Sequence, residues 1–292
     1  ALGYEALKDF TTGNYNTAIG YQTGDALTTG AGNIFIGQSA GTATTDVDKA
    51  IIIGRDAGAA NMTSDADGTI GIGYQAAKSI TSGQGNVAIG YNALELEDTG
   101  DFNVAIGRYA LNAQNVDGTV GNIAVGYYAG AAITTGVGNL AIGYNAMLVH
   151  TTGGSNIAIG YGAMDNTDAG STSLGSTNNM FIGKNSGGGT WADVASNYNI
   201  GIGNNVLDSA LNGALNNTAI GYYALSSVTT ADNNVALGSN ALSALTTGAS
   251  NIAIGESAMY VHTTGGSNIA IGHGAMDKTD AGSTSLGSTR NI

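Results

Sequence analysis

The apolar positions of this chain fall into one short, recurring block that ends in glycine. The block reads Asn-Ile-Ala-Ile-Gly at residues 156–160 and again at 251–255, closing on Gly160 and Gly255, and variants of it run through the whole sequence. Its closing glycine occurs sixteen times between Gly3 and Gly272. Ten of the fifteen steps are 17 residues, and the others are 18, 19, 19, 20 and 23. A period of this size marks an array of coils, each of which buries its apolar face only by stacking on its neighbours. The slot before the glycine is Ile in 13 of 16 blocks, and the slot two residues earlier is mostly Ile, Val or Leu. Residues two apart in a strand share a face. The paired columns, Ile157 with Ile159 and Ile252 with Ile254, are therefore predicted to fill the interior of each coil. The slot between them is Ala in eleven blocks, as at Ala158 and Ala253, and is never polar. A strand with one face in water alternates with polar residues, whereas a strand covered on both faces does not. The alanine face is thus expected to meet a neighbouring chain, and Gly160 and Gly255 are expected to turn the chain out of the strand. Five residues, a terminal glycine and flanking turn formers favour a strand over a helix.

A second segment follows each glycine, as in Tyr91-Asn92-Ala93-Leu94 and Tyr144-Asn145-Ala146-Met147, and predicts a second strand that closes the coil. A polar bend of the type Thr28-Thr29-Gly30 comes next. The expected fold is all-β: a parallel β-solenoid of about 17 residues per coil and roughly sixteen coils, running as one continuous array over 1–292. The chain opens on Ala1-Leu2-Gly3 and stops on Asn291-Ile292, both inside a block, so it reads as a fragment of a longer fibre. The longer steps place extra residues at 61–67, 115–119, 165–177 and 187–196, where surface loops are expected. A longer repeat is also present: 149–177 matches 261–289 with only Tyr161/His273 and Asn166/Lys278 differing.

Composition narrows the function classes. The 48 glycines and absence of proline suit a structure in which most residues donate to coils above and below. A net charge of −13, with eight Lys and Arg, argues against nucleic acid and anionic membrane surfaces as partners. No cysteine is present for disulfides or thiolate metal sites, and no apolar run approaches the roughly 20 residues of a spanning helix.

The Asn-x-Ala-Ile-Gly block with a small residue nearby, and the string from Asn16 to Gln22, resemble the YadA-like head repeats of trimeric autotransporter adhesins. They are similar also to repeats in tail fibres of tailed phages. That resemblance implies a left-handed β-roll, three chains about one axis, and exposure on a cell or virion surface. It departs from the adhesin pattern in its 17-residue coil and in showing no neck, stalk or anchor.

Candidate chemistry is sparse. Asn begins 13 of 15 blocks, including Asn156 and Asn251, with Ala50 and Thr69 as exceptions; a stacked amide ladder is expected. Tyr follows the glycine in eight coils, where it covers the turn and packs on its neighbours, and Tyr91, Tyr144, Tyr161 and Tyr222 are also candidate surface contacts for a glycan. The single Trp191 sits in an insertion, where it either caps a coil edge or marks a contact surface. Thr-Thr pairs suggest ice binding, although adjacent threonines point to opposite faces of a strand. His150 and His262 occupy equivalent surface places. Asp65 and Asp67, with Asp46, Asp48, Asp98 and Asp101, give a weak calcium signal that lacks the downstream glutamate of a calcium loop. No nucleophile–base spacing or phosphate loop stands out, and no cofactor is expected. The expectation is a non-enzymatic, self-associating homotrimeric fibre, extracellular and used for surface attachment. A glycan-binding or ice-binding solenoid is the alternative.

Overall fold

The computed structural model describes residues 1–167, 175–191 and 194–278. Parts of the insertions at 165–177 and 187–196, and the end of the second long-repeat copy, lie outside the described residues. Two compact units are present, Ala1–Ile142 and Gly143–Ile292.

The first unit holds β1 (Thr17–Ile19), β2 (Ile34–Ile36), β3 (Ile51–Ile53), β4 (Ile70–Ile72), β5 (Val87–Ile89), β6 (Gly100–Asp101), β7 (Val104–Ile106), β8 (Gly118–Thr119), β9 (Ile123–Val125) and β10 (Leu140–Ile142). All strands but β6 and β8 line up as one parallel ladder, each pairing with the next block of the chain: Thr17 faces Ile34, Ile51 faces Ile70 and Val104 faces Ile123. The two-residue strands β6 and β8 pair with each other in parallel on a separate side. The second unit holds β11 (Ile157–Ile159), β12 (Met180–Ile182), β13 (Ile200–Ile202), β14 (Thr218–Ile220), β15 (Val235–Leu237), β16 (Ile252–Ile254) and β17 (Ile269–Ile271), again paired in parallel and in chain order. Ile157 pairs with Met180 across a 23-residue step and Ile200 with Thr218 across an 18-residue one. The register follows the motif, and the extra residues are absorbed outside the strands. Both units are parallel β-solenoids, as the repeat predicts.

Which face points inward is the reverse of the expectation. In β11 and β16 the alanine, Ala158 or Ala253, is fully buried, while the flanking isoleucines, Ile157 and Ile159 or Ile252 and Ile254, remain partly exposed. The same holds for Ala18 in β1, whose neighbours Thr17 and Ile19 are exposed. The alanine column lines the interior and the two isoleucine columns face out. The reason lies in the thickness of the coil. A 17-residue turn is narrow, and the opposite wall already supplies bulk through pairs such as Ala93–Leu94 and Ala146–Met147, all fully buried. A small residue on the strand lets the two walls meet at interior packing density.

The second wall is not a strand. The residues two and four places after the glycine carry positive φ, as at Asn92 (53°) and Leu94 (50°) or Asn145 (56°) and Met147 (53°). Extended backbone excludes such angles. Every second residue being left-handed turns adjacent side chains to the same side, so Ala93 and Leu94 both point inward where a strand would separate them. The backbone still bonds from coil to coil: Leu94 N–H donates to Ala110 O at 3.0 Å and Asn92 N–H to Tyr74 O at 2.9 Å.

The block-closing glycines do more than turn the chain, because they also stack on one another. At Gly160, φ is 138° and a Cβ would lie 2.3 Å from the carbonyl oxygen of Gly183. At Gly255, φ is 130° and a Cβ would lie 2.5 Å from the carbonyl oxygen of Gly272. Both the backbone angle and the close approach of the next coil exclude any other residue at these two positions.

Candidate functional site

Three features emerge from these coils: an internal amide ladder, an outward apolar face, and a polar corner carrying tyrosines.

The ladder begins with the asparagine before each strand. Its position is buried in every described block except the one opened by Asn16, and both Asn156 and Asn251 are completely buried. Asn156 Oδ1 accepts from the backbone N–H of Asn179 at 3.0 Å, while its Nδ2 donates to Ser176 O at 2.8 Å. Asn217, Asn234 and Asn251 repeat the scheme, each Oδ1 accepting from both the N–H and the Nδ2 of the next, as far as Asn268. In the first unit Asn33 accepts from Ala50 N–H at 2.8 Å, so the chain of bonds enters even the block that lacks Asn. Buried amides need such partners, and these side chains are fully engaged within the protein.

Another internal polar group replaces an apolar one. Glu97 is completely buried in a column otherwise filled by residues such as Leu27, Ile80 and Ile133. Its carboxylate accepts from the backbone N–H groups of Asp98, Thr99 and Gly100 and from Gln114 Nε2 at 2.8 Å; Gln114 Oε1 in turn accepts from Asn122 Nδ2. The equivalent coil position in the second unit is His150 in one coil and His262 in another, both fully buried, not at the surface as expected. His150 Nδ1 lies 3.0 Å from Thr167 Oγ1, and Nε2 lies 2.9 Å from Gly153 O. Rings held this way fill the coil and present no ligand face.

The outward face consists of the two isoleucine columns of each unit. Ile19 retains 42% of its surface and Leu237 retains 45%, although coils stack above and below them. Parallel sheets are ordinarily covered on both faces. Here one face is covered by the turn wall of the same coil, and the other presents mostly apolar side chains, interrupted by Thr17 and Thr218.

At the corner beyond the glycine the tyrosines stand out from the coil. Tyr91, Tyr144, Tyr161 and Tyr222 are all about half exposed. The structure brings Tyr144 and Tyr161 together, their rings 5.2 Å apart and 4° from parallel. Tyr91 belongs to a different cluster: it stacks on Tyr74 at 4.9 Å and meets the edge of Tyr109 at 5.5 Å, with Arg108 over both Tyr91 (5.2 Å) and Tyr109 (5.1 Å). Arg55 lies over Tyr74 at 4.6 Å. Arg55 and Arg108 take the place of Tyr in the column after the glycine, which is the sequence signal for this cluster. Tyr222 packs against the edge of Tyr223.

Trp191 is not a surface contact. It is 2% exposed and packs edge-on against Phe181 at 5.7 Å, and its indole N–H finds no acceptor among the described residues. It fills the coil at an insertion, where the side chain serves as core.

The acidic residues act as turn fasteners. Asp48 Oδ1 accepts from Ala31 N–H, Asp67 Oδ1 from Asp48 N–H, and Asp101 Oδ1 from Gln84 N–H, all at 2.7–2.8 Å. Asp65 sits in a single 3₁₀ turn, Ser64–Ala66. Among the described residues no three His, Asp or Glu side chains converge on a cation-sized site. Threonine hydroxyls are similarly engaged: Thr28 Oγ1 donates to Thr45 O and Thr229 Oγ1 to Thr246 O. Asp165 and Asp208 face each other across Gly188, where a Cβ would lie 3.2 and 3.0 Å from their Oδ1 atoms. Burial, and then the Asp165 charge, push the Asp208 carboxyl up to about 6.

No protein-family model, curated protein or solved structure matches the chain. Among the described residues no helix is long and apolar enough to cross a membrane.

Proposed function

We propose that this chain is the self-associating shaft of an extracellular trimeric fibre used for surface attachment. The observation that carries this reading is the outward isoleucine face. In each unit it is predominantly apolar, interrupted by Thr17 in the first and Thr218 in the second, and left partly exposed by its own chain. Contiguous apolar surface of this extent marks an association site. Covering each of these partly exposed side chains is worth up to roughly 1 kcal/mol, and most coils contribute two of them. A second copy of the same chain offers the same flat strip at the same pitch, which makes self-association the natural cover. The count of three, and the placement on a cell or virion surface, follow from the resemblance of the Asn-x-Ala-Ile-Gly block to adhesin head and phage fibre repeats. The role is mechanical, with no catalytic step.

Ile159→Asp and Ile254→Asp test the reading. Both side chains point away from the core, so each variant keeps the strand spectrum of the wild type, while a charge on the strip disfavours association. Release of folded monomers by either variant supports the proposal. An unchanged mass in both argues against the isoleucine face as the interface.

A further inference from the structure

The second unit contains a concavity that the fibre reading does not use. A groove of 510 Å³ opens at the polar corner, bounded by Tyr223 and Tyr260 and floored by Ser226, Asn240, Ser243 and Ala244. It exists because of a break in the side-chain columns. The second residue after the glycine is Tyr223 in one coil, Asn240 in the next and Ser257 in the one after. The fifth residue is Ser226, then Ser243, then Tyr260. Tall side chains therefore stand at the two ends, two coils apart, and short ones lie between. At the spacing of parallel strands the ends are about 10 Å apart along the coil axis.

We propose that this groove is a binding site for neutral oligosaccharides. Tyr223 and Tyr260 keep 37% and 46% of their surface, so their rings offer apolar faces to the C–H side of a pyranose. The floor supplies hydrogen-bonding groups whose orientation is already set. Ser226 Oγ donates to Ser243 O at 3.2 Å and Ser243 Oγ to Tyr260 O at 3.4 Å, which leaves the lone pairs of both hydroxyls to accept from sugar O–H groups. Asn240 Nδ2 donates one proton to Ser239 Oγ at 3.3 Å, which fixes the amide on the floor of the groove. No charged side chain lines the groove, and the chain carries a net charge of −13. Both features select a neutral ligand over a sialylated or sulfated one. The volume falls within the roughly 300–1,000 Å³ of small-ligand sites, and the span between the tyrosines matches two sugar rings. All of these residues lie within one chain, away from the isoleucine face, so the inference holds whether or not the chains associate.

The test uses the full chain and a panel of neutral hexasaccharides (malto-, cello-, manno- and galacto-) beside sialyllactose and a heparin hexasaccharide. Binding is followed by saturation-transfer NMR and calorimetry. Tyr260→Ala removes one stacking wall. Asn240→Tyr closes the floor, and it is compatible with the fold because Tyr109, Tyr128 and Tyr223 occupy the same column with the same left-handed φ, 54–59° against 57° at Asn240. The expected result is saturable binding of at least one neutral hexasaccharide, weakened about tenfold or more in both variants, with unchanged circular dichroism and melting of Asn240→Tyr. The inference is overturned if no neutral sugar binds, if only the anionic sugars bind, or if Asn240→Tyr binds as the wild type does. A change in oligomeric state with sugar binding intact would count against the fibre reading alone.

Discussion

Phe35 sits against the bare backbone of Gly41: a Cβ on that glycine would lie 3.2 Å from the phenyl ring. The pair is a volume exchange between the two walls of one coil. Where the strand carries Ala, the residue four places after the glycine is commonly Leu or Met, as in Ala88 with Leu94 or Ala158 with Met164. Where the strand carries Phe or Ile, that residue is glycine: Phe35 with Gly41, Ile52 with Gly58, Phe181 with Gly187.

Gly41→Leu should therefore overpack the coil and cost roughly 1–3 kcal/mol, and Phe35→Ala should cost roughly 3–5 kcal/mol through the cavity it leaves. The double variant Phe35→Ala/Gly41→Leu rebuilds the commoner coil and should cost clearly less than the sum. Urea unfolding of the four proteins gives the coupling. Additive effects would contradict a shared interior volume.

That exchange was readable in the sequence, as a six-residue spacing between bulky strand residues and a glycine, and it identifies the inward face. Hydrophobicity alone pointed the other way. Isoleucine is the more apolar residue and is the one expected inside, yet the narrow coil takes a large side chain on the strand only where glycine faces it, as at Phe35, Ile52 and Phe181, and otherwise takes alanine or glycine. The period, the parallel ladder and the asparagine column were legible because each depends on stacking identical residues. The closing glycines, Gly160 and Gly255 among them, are legible as turns, but their stacking against the next coil shows only in the folded chain. The second wall was misread as a strand. The adjacent apolar pair Ala93–Leu94 was the sign of its left-handed alternation, since neighbours in a strand cannot both face inward. The buried histidines depart from the surface expectation, and the place of Trp191 stays open in the sequence, because a polar or singular residue in an interior column looks the same there as one on a loop.

Asn217 links polar groups of three coils, its N–H and Nδ2 donating to Asn199 Oδ1 in the coil before. Its Oδ1 accepts from Asn234 N–H and Nδ2 at 3.1 Å, and its Nδ2 donates to Ala231 O at 2.7 Å. Asn217→Ala leaves these buried groups unpaired, at a cost of roughly 2–4 kcal/mol. Hydrogen exchange should show the Asn234 amide losing protection while amides around Asn268 keep theirs. Full protection at Asn234 would show that the ladder is dispensable.

Asp208 gives the second unit a pH dependence. Its carboxyl titrates near 6 in the folded chain, because it is half-buried and faces Asp165, against about 3.9 in an unfolded one. The folded state thus binds the proton more tightly. The destabilisation is present in full above pH 6 and is relieved as pH falls toward 4. Discounted for the solvent that reaches a half-exposed group, the gain is on the order of 1 kcal/mol. Asp208→Asn should be more stable than the wild type at pH 7 and equal to it near pH 4 in paired melting curves. A parallel pH response of the two proteins would exclude Asp208 as the source.

The most direct test of the central claim is the mass of the full chain in solution, measured by sedimentation equilibrium across a concentration series at neutral pH. One chain has a mass of 28.9 kDa. The account predicts a single species of three chains that persists on dilution, its isoleucine strips mutually covered. A stable, soluble monomer at all concentrations would contradict it.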